Sequence, residues 1–237
     1  MSNAAPRLWA VIPAAGGGSR FGGDQPKQYA RLLDRTVIEW SLAPFLARSD
    51  LTGIVVPLAT DDGCWSKCRP ADGRVIEAVG GDQRAQSVAN ALDLISNRGH
   101  ESDWVLVHDA ARPCLHPEDL ERLIRCVMAS TDGGLLAAPV EDTLKRAVQG
   151  RVRETVPREN LWRALTPQMF RLGDLRGALA SASTSKLSVT DEASAIEIQG
   201  GRPMLVEGRA DNLKLTRAAD LPLAAAILRA REQAACV

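Results

Sequence analysis

Two cations stand just downstream of a run of small residues near the start of the chain: Arg20 and Lys27 follow Ala14-Ala15-Gly16-Gly17-Gly18. Small residues let a ligand approach the backbone, and exposed N–H groups in a glycine-rich turn bind anions. An arginine adds a planar fork of donors and a lysine a compact charge. Beside a bound phosphate, the pair would stabilise charge gathering on a reacting phosphoryl group. Two familiar phosphate motifs fail here. The dinucleotide fingerprint needs a glycine where Phe21 stands, and no Gly-Lys-Ser/Thr follows to make a Walker loop. On these residues alone, a distinct phosphate cradle and a flexible turn with two solvated charges are both open.

Other segments carry potential chemistry. Asp109, in His108-Asp109-Ala110-Ala111-Arg112-Pro113, follows the apolar run Trp104–Val107. It then sits at the carboxyl end of a parallel strand, where open α/β sheets bind ligands. There it would hold a metal ion or a substrate hydroxyl, or else cap the following turn. His108 reads as a packed, hydrogen-bonded histidine. Thr190, in Thr190-Asp191-Glu192-Ala193, reads as the N-cap of a helix whose N-terminus also favours phosphate. Asp211 and Lys214 would lie at the lip of the sheet, unless their segment is simply a polar loop. Cys64 and Cys68 have no second pair and no nearby histidine. The chain has five cysteines and no Cys-x-x-Cys, so reduced, isolated thiols in a cytoplasmic protein fit better than structural zinc.

The elements that must position these residues follow from periodicity. Leu8–Pro13, Gly53–Leu58, Arg74–Val79, Trp104–Val107, Gly134–Val140 and Pro203–Val206 are short apolar runs bounded by Gly, Pro or Asp, as buried strands are. Helical stripes lie between them: Val88, Leu92 and Ile95; Leu120, Leu123, Ile124, Val127 and Met128; Leu221, Ala224, Ala225 and Leu228. Thr36 to Ala47 also reads as a helix, kinked or shortened by Pro44. Alternating strand and helix implies an α/β, Rossmann-like, mostly parallel sheet with helices on both faces. Thr143–Val148 and Arg151–Val156 flank Gln149-Gly150 and read as a polar β-hairpin. Such a hairpin is marginal alone. It is expected to project as an arm, over about residues 138–162, and to be held by a second subunit.

Composition sets outer bounds. The 237 residues suit one large domain, taken as 1–237, with a lead-in at Met1–Pro6 left out of the fold. Lys+Arg and Asp+Glu both number 29, so the net charge is zero and a general nucleic-acid binder is not expected. No apolar run reaches the ~20 residues that span a bilayer, and residues 1–7 lack a signal-peptide core, so a cytoplasmic protein off the membrane is expected.

In order and spacing, these segments resemble the 2-C-methyl-D-erythritol 4-phosphate cytidylyltransferase family of the non-mevalonate isoprenoid pathway. The resemblance runs from about residue 8 to residue 229. It rests on Pro13-Ala14-Ala15-Gly16 with Arg20, Pro26-Lys27-Gln28-Tyr29, Gly80-Gly81-Asp82 with Arg84 and Ser87, and Val107 to Pro113. It continues through Asp142-Thr143 with Lys145-Arg146, Leu165-Thr166-Pro167-Gln168, Thr190 to Ser194, and Val206-Glu207-Gly208 with Asn212 and Lys214. The resemblance implies a nucleotide-diphospho-sugar transferase-like fold and the following roles. Ala14 to Gly18 wrap the triphosphate of CTP, and Arg20 and Lys27 stabilise the transition state at the α-phosphorus. Gly81, Asp82 and Ser87 hold the cytosine, with Ala110 near the nucleotide. Asp109 contacts the methylerythritol hydroxyls. Thr190 and Lys214 bind its phosphate, helped by Arg112, Thr143, Arg158 and Thr166. The arm comes from the partner subunit of a homodimer. Pro44 and the loop residues Gly17 and Ser19 are the small departures.

The implied reaction needs no base, because a phosphate monoester is already ionised at neutral pH. One of its oxygens would attack the α-phosphorus in line and pyrophosphate would leave. A divalent ion, expected to be Mg²⁺, would bridge phosphate oxygens, with Asp211 and Asp109 as its nearby carboxylates. Three rival readings differ in what they predict. A cytidylyltransferase for another polyol phosphate, such as ribitol 5-phosphate, would prefer that acceptor. A non-catalytic nucleotide sensor would have lost Arg20, Lys27 or Asp109, all of which are present. A structural dimerisation module would give no heat with CTP and Mg²⁺.

Overall fold

In the strands, successive side chains point to opposite faces, and both faces are apolar. Leu8, Ala10 and Ile12 join one buried cluster, while Trp9 and Val11 join another on the far side. Trp104 and Leu106 alternate with Val105 and Val107 in the same way. A sheet with two apolar faces must be covered on both.

The computed structural model of the chain describes residues 5–17, 21 and 25–235. In chain order its elements are β1 (Leu8–Val11), β2 (Arg31–Leu32), β3 (Arg35–Thr36), α1 (Val37–Leu46), β4 (Leu51–Leu58), β5 (Val75–Val79), α2 (Arg84–Ser96) and β6 (Trp104–Val107). There follow α3 (Pro117–Val127), β7 (Gly134–Pro139), β8 (Leu144–Val148), β9 (Arg151–Val156), β10 (Trp162–Arg171), α4 (Leu172–Thr184), α5 (Glu192–Ile198), β11 (Met204–Glu207) and α6 (Leu221–Ala235). Seven strands form one sheet in the order β11-β7-β10-β6-β1-β4-β5. Every pairing is parallel except those of β10, which runs antiparallel to both β6 and β7. Helices α1 and α3 pack on one face through Ile38, Leu42, Phe45, Leu120 and Leu123. Helices α2, α4 and α5 cover the other through Val88, Leu92, Leu175, Leu179 and Ile196. The expected α/β architecture is therefore the observed one. Among the described residues no helix is long and apolar enough to cross a membrane.

The helix signals act largely as read. Thr36 caps α1 in a reciprocal box: its hydroxyl accepts from the Glu39 N–H, and the Glu39 carboxylate accepts from the Thr36 N–H at 2.7 Å. Pro44 lies inside α1, yet the helix fills the expected span, running Val37–Leu46 between the Thr36 and Ala47 caps, so the proline does not shorten it. The stripe of α3 is buried at Leu120, Leu123, Ile124 and Val127, but Met128 lies past the last turn and is 45% exposed. Asp191, not Thr190, is the N-cap of α5: its carboxylate accepts from the Ser194 N–H at 3.0 Å, and Thr190 stays exposed.

The expected hairpin forms. β8 and β9 pair antiparallel in a sheet of their own, and Gln149 (φ 49°) and Gly150 (φ 75°) turn between them. Positive φ at both turn positions matches the right-handed twist of a two-residue hairpin. Val148 and Val152 on the arm are 51% and 64% exposed.

Candidate active site

The cavity sits where the parallel strands end. Past β1, the Ile12 and Ala14 N–H groups continue the ladder to the Val55 and Pro57 carbonyls at 2.9 and 2.8 Å. This carries Ala14 to Gly17 to the carboxyl edge of the sheet. The Gly80 N–H reaches the Leu58 carbonyl at 2.7 Å, and His108 N–H reaches Val11 at 2.9 Å. A Cβ on Gly80 would stand 2.2 Å from the Ala15 Cβ, so only glycine lets these two loops approach. Between them opens a cavity of about 450 Å³, lined by Pro13 to Gly17, Lys27 and Gln28, Ala59 to Asp61, Gly80 to Arg84, Ser87, Asp109 to Ala111, and Lys214. That is within the usual size of a small-ligand site.

One carboxylate organises its charge. Asp109 accepts from Arg84 Nε at 2.8 Å, pairs with Lys214 Nζ at 2.8 Å, and lies 3.4 Å from Arg112 Nε. Burial alone would raise its pKa, but Arg84, Lys214 and Arg112 outweigh it and hold the carboxyl well below the usual range. Arg84 continues the network with a bidentate pair to the buried Glu192, at 2.6 and 3.1 Å. Burial disfavours its charge, yet Glu192 and Asp109 together raise its pKa. Arg84 thus ties α2, the end of β6 and the first turn of α5 together. Lys27 lies on a short 3-10 turn, Lys27–Tyr29, and donates to the Leu215 carbonyl at 3.0 Å.

His108 lies behind this cluster, fully buried. Its Nε2 faces the Arg112 carbonyl at 3.1 Å, which can only accept, so Nε2 carries the proton. Its Nδ1 then accepts from the Thr166 hydroxyl at 2.9 Å, and that hydroxyl accepts from the Asp109 N–H at 3.1 Å. Burial pushes the imidazole pKa down to about 4. A histidine kept neutral when folded takes up a proton more readily when unfolded. Its contribution is therefore complete above pH ~6.5 and is lost as pH falls toward ~4, about 3 kcal/mol in all. Urea titrations at pH 7 and pH 4.5 should show that loss, and His108→Gln should flatten the dependence. A wild-type stability that stays level across the window would contradict it.

Most of the expected nucleotide residues meet in the cavity: Ala14, Ala15, Gly16, Gly17, Gly81, Asp82, Ser87 and Ala110, along with Lys27, Asp109 and Lys214. Ser87 does so with its hydroxyl accepting from the Gly81 N–H at 3.0 Å, which shapes the loop. Gly18 and Arg20 lie outside the described residues. Other expected residues lie outside the cavity as the single chain forms it. Arg112 turns inward, donating to the Asn212 carbonyl at 2.7 Å, and Thr166 is engaged by His108 and Asp109. Neither lines the cavity, and nor do Thr143, Arg158 and Thr190. Thr143 and Arg158 are exposed at the base of the arm, where Arg158 donates to the Glu141 carbonyl. Of the two expected magnesium carboxylates, Asp211 is bonded to Arg231 at 2.8 Å and Asp109 is ringed by cations. Among the described residues no three His, Cys, Asp or Glu side chains gather to hold a metal. Asp109 and Asp211 therefore do not fit a shared ion.

Sequence reasoning assigned no role to Gln28, Arg84 or Glu192. The signal existed for Arg84, an arginine at the first position of a helix, where a cation opposes the dipole. Such a charge needs a carboxylate partner.

A parallel sheet with a glycine-rich turn, cations and a buried carboxylate around one cavity at its carboxyl edge is the arrangement of a nucleotidyltransferase. The family model described as 2-C-methyl-D-erythritol 4-phosphate cytidylyltransferase matches residues 8–230. A relative of that name from Pseudomonas putida is 54% identical over 224 residues, covering 93% of this chain and 95% of the relative. A solved structure described as 4-diphosphocytidyl-2C-methyl-D-erythritol synthase superposes with a TM-score of 0.83 at 39% identity, covering 95% of this chain and all of that one. The 2-C-methyl-D-erythritol 4-phosphate cytidylyltransferase of Francisella tularensis does so with a TM-score of 0.82 at 34% identity, over 93% of this chain and 99% of that one. The chain belongs to the 2-C-methyl-D-erythritol 4-phosphate cytidylyltransferase family.

Proposed function

We propose that the chain joins CTP to 2-C-methyl-D-erythritol 4-phosphate, forming 4-diphosphocytidyl-2-C-methyl-D-erythritol and pyrophosphate. One observation carries the reading: a single cavity is lined at once by the glycine-rich turn and Lys27 and by the Asp109–Lys214 pair. The first set suits a triphosphate and the second an acceptor with hydroxyls and a phosphate. A phosphate oxygen of the acceptor attacks the α-phosphorus of CTP. The bond from that phosphorus to the bridging oxygen breaks, and pyrophosphate leaves with the electron pair. Catalysis is positioning and charge stabilisation, with Lys27 and Arg20 at the α-phosphate. Gly81, Asp82, Ser87 and Ala110 hold the cytidine. Asp109 receives the acceptor hydroxyls, and Lys214 and Thr190 its phosphate. Arg112 and Thr166 act through Asp109 and His108, as positioning residues. Mg²⁺ would be the counter-ion of the triphosphate and would supply further neutralisation of its charge.

The exposed arm supports a homodimer in which Thr143 and Arg158 reach the partner's acceptor site. On that arrangement Arg158→Ala should raise the KM for the acceptor about tenfold or more, the scale of a lost charged hydrogen bond, and leave the KM for CTP nearly unchanged. Equal weakening toward both substrates would argue against it. The described cysteines Cys64, Cys68, Cys114 and Cys126 are free thiols, which fits a cytoplasmic setting.

Pyrophosphate release measured with CTP, Mg²⁺ and either 2-C-methyl-D-erythritol 4-phosphate or ribitol 5-phosphate tests the reading. Turnover with the first, well above the second, is the expected result. Preference for the second would move the acceptor, and heat of CTP binding without turnover would indicate a sensor.

A further inference from the structure

The short turn Lys27–Tyr29 bonds to three segments in or beside the wall of the cavity. Lys27 donates to the Leu215 carbonyl, beside Lys214, at 3.0 Å. Tyr29 donates to Asp62 at 2.5 Å, beside the wall residue Asp61. Between them Gln28 is only 3% exposed, and its amide donates to two carbonyls of the glycine-rich turn, Ala14 at 2.6 Å and Gly16 at 3.1 Å. In a trans peptide the C=O of one residue and the N–H of the next point in opposite directions. Holding the Ala14 and Gly16 carbonyls toward Gln28 therefore turns the Ala15 and Gly17 N–H groups the other way. Packing does little to fix this stretch, since among the described residues no heavy atom stands within 4 Å of a Cβ built on Gly16 or Gly17.

We infer that Gln28 is the positioning residue of the phosphate turn: by clamping those two carbonyls it aims the N–H groups of Ala15 and Gly17 at the triphosphate, in register with Lys27. The inference rests on the cytidylyl-transfer reading of the cavity. A donor lost here loosens the grip on phosphates while leaving the grips on cytosine and acceptor as they were. A general packing role would instead weaken every ligand together.

Gln28→Met keeps the length and removes both donors; Gln28→Glu sets a carboxylate against two carbonyls. For each folded variant, KM for CTP and inhibition by pyrophosphate are compared with cytidine affinity and KM for the acceptor. The expected result is a loss of about tenfold in the first two for Gln28→Met, a larger loss for Gln28→Glu, and changes within about twofold in the last two. No change, or an equal change in all four, would overturn the inference. Hydrogen exchange on the wild-type chain gives a measurement independent of variant folding. The Ala15 and Gly17 amides should gain protection with pyrophosphate and none with cytidine; amides indifferent to pyrophosphate would also overturn it. Wild-type turnover of CTP with the acceptor separates the two claims. If it is absent the functional reading fails, and if it is present while Gln28→Met behaves as wild type only the inference fails.

Discussion

Lys27→Ala is expected to lower kcat by roughly 10²-fold or more, the usual scale for removing one donor that acts on developing charge. The attacking phosphate needs no deprotonation, so few other terms exist to share the loss. The residue lines the cavity from a turn that Gln28 ties to the glycine-rich loop and Tyr29 ties to Asp62, and its ammonium donates to the Leu215 carbonyl. Its ammonium is thus delivered by a rigid support, which is what transition-state stabilisation requires. Arg20→Ala should bring a loss of the same order, on the role its family position implies. Steady-state kinetics on purified, folded variants would check both. A kcat within a few-fold of wild type for either would remove that residue from the chemistry.

Arg84→Met should destabilise the fold by about 3–5 kcal/mol, because it leaves the buried carboxylates of Asp109 and Glu192 without their shared partner. In a chain of this length that corresponds to a fall in Tm of roughly 6–20 °C. Asp109 would still have Lys214 and Arg112, but the only ion pair of Glu192 among the described residues is with Arg84. Arg84→Lys should recover part of the loss, since an ammonium cannot reproduce the bidentate fork. Thermal and urea unfolding would measure both. A penalty under about 1 kcal/mol for Arg84→Met would mean that water or rearrangement satisfies Glu192.

The strands of the parallel sheet were legible because apolar faces on both sides leave continuous Val, Ile and Leu runs such as Ile54 to Val56. Strand β10 was not. Pro167 and the polar Arg163, Thr166, Gln168 and Arg171 leave no continuous apolar run, and pairing is irregular between Ala164 and Gln168. Its polar residues are there to serve the site: Gln168 donates to Asp191 at 2.8 Å and accepts from the Ala193 N–H at 2.8 Å, fixing the start of α5. Helix α4 was hidden by Gly173, Gly177 and a run of Ala and Ser that gives little stripe. In the site, glycines and cations announced themselves by type and spacing. Long-range partners did not: nothing local in Gln28 or Glu192 says which distant group each will meet.

A crystal structure with CTP bound would show where the two cations stand relative to the reacting phosphorus. The triphosphate is expected along Ala14 to Gly17, the cytosine against Gly81 and Ser87, and both Lys27 Nζ and the Arg20 guanidinium within hydrogen-bonding reach of the α-phosphate. Well-ordered CTP with those two cations directed away from the α-phosphorus would contradict this placement.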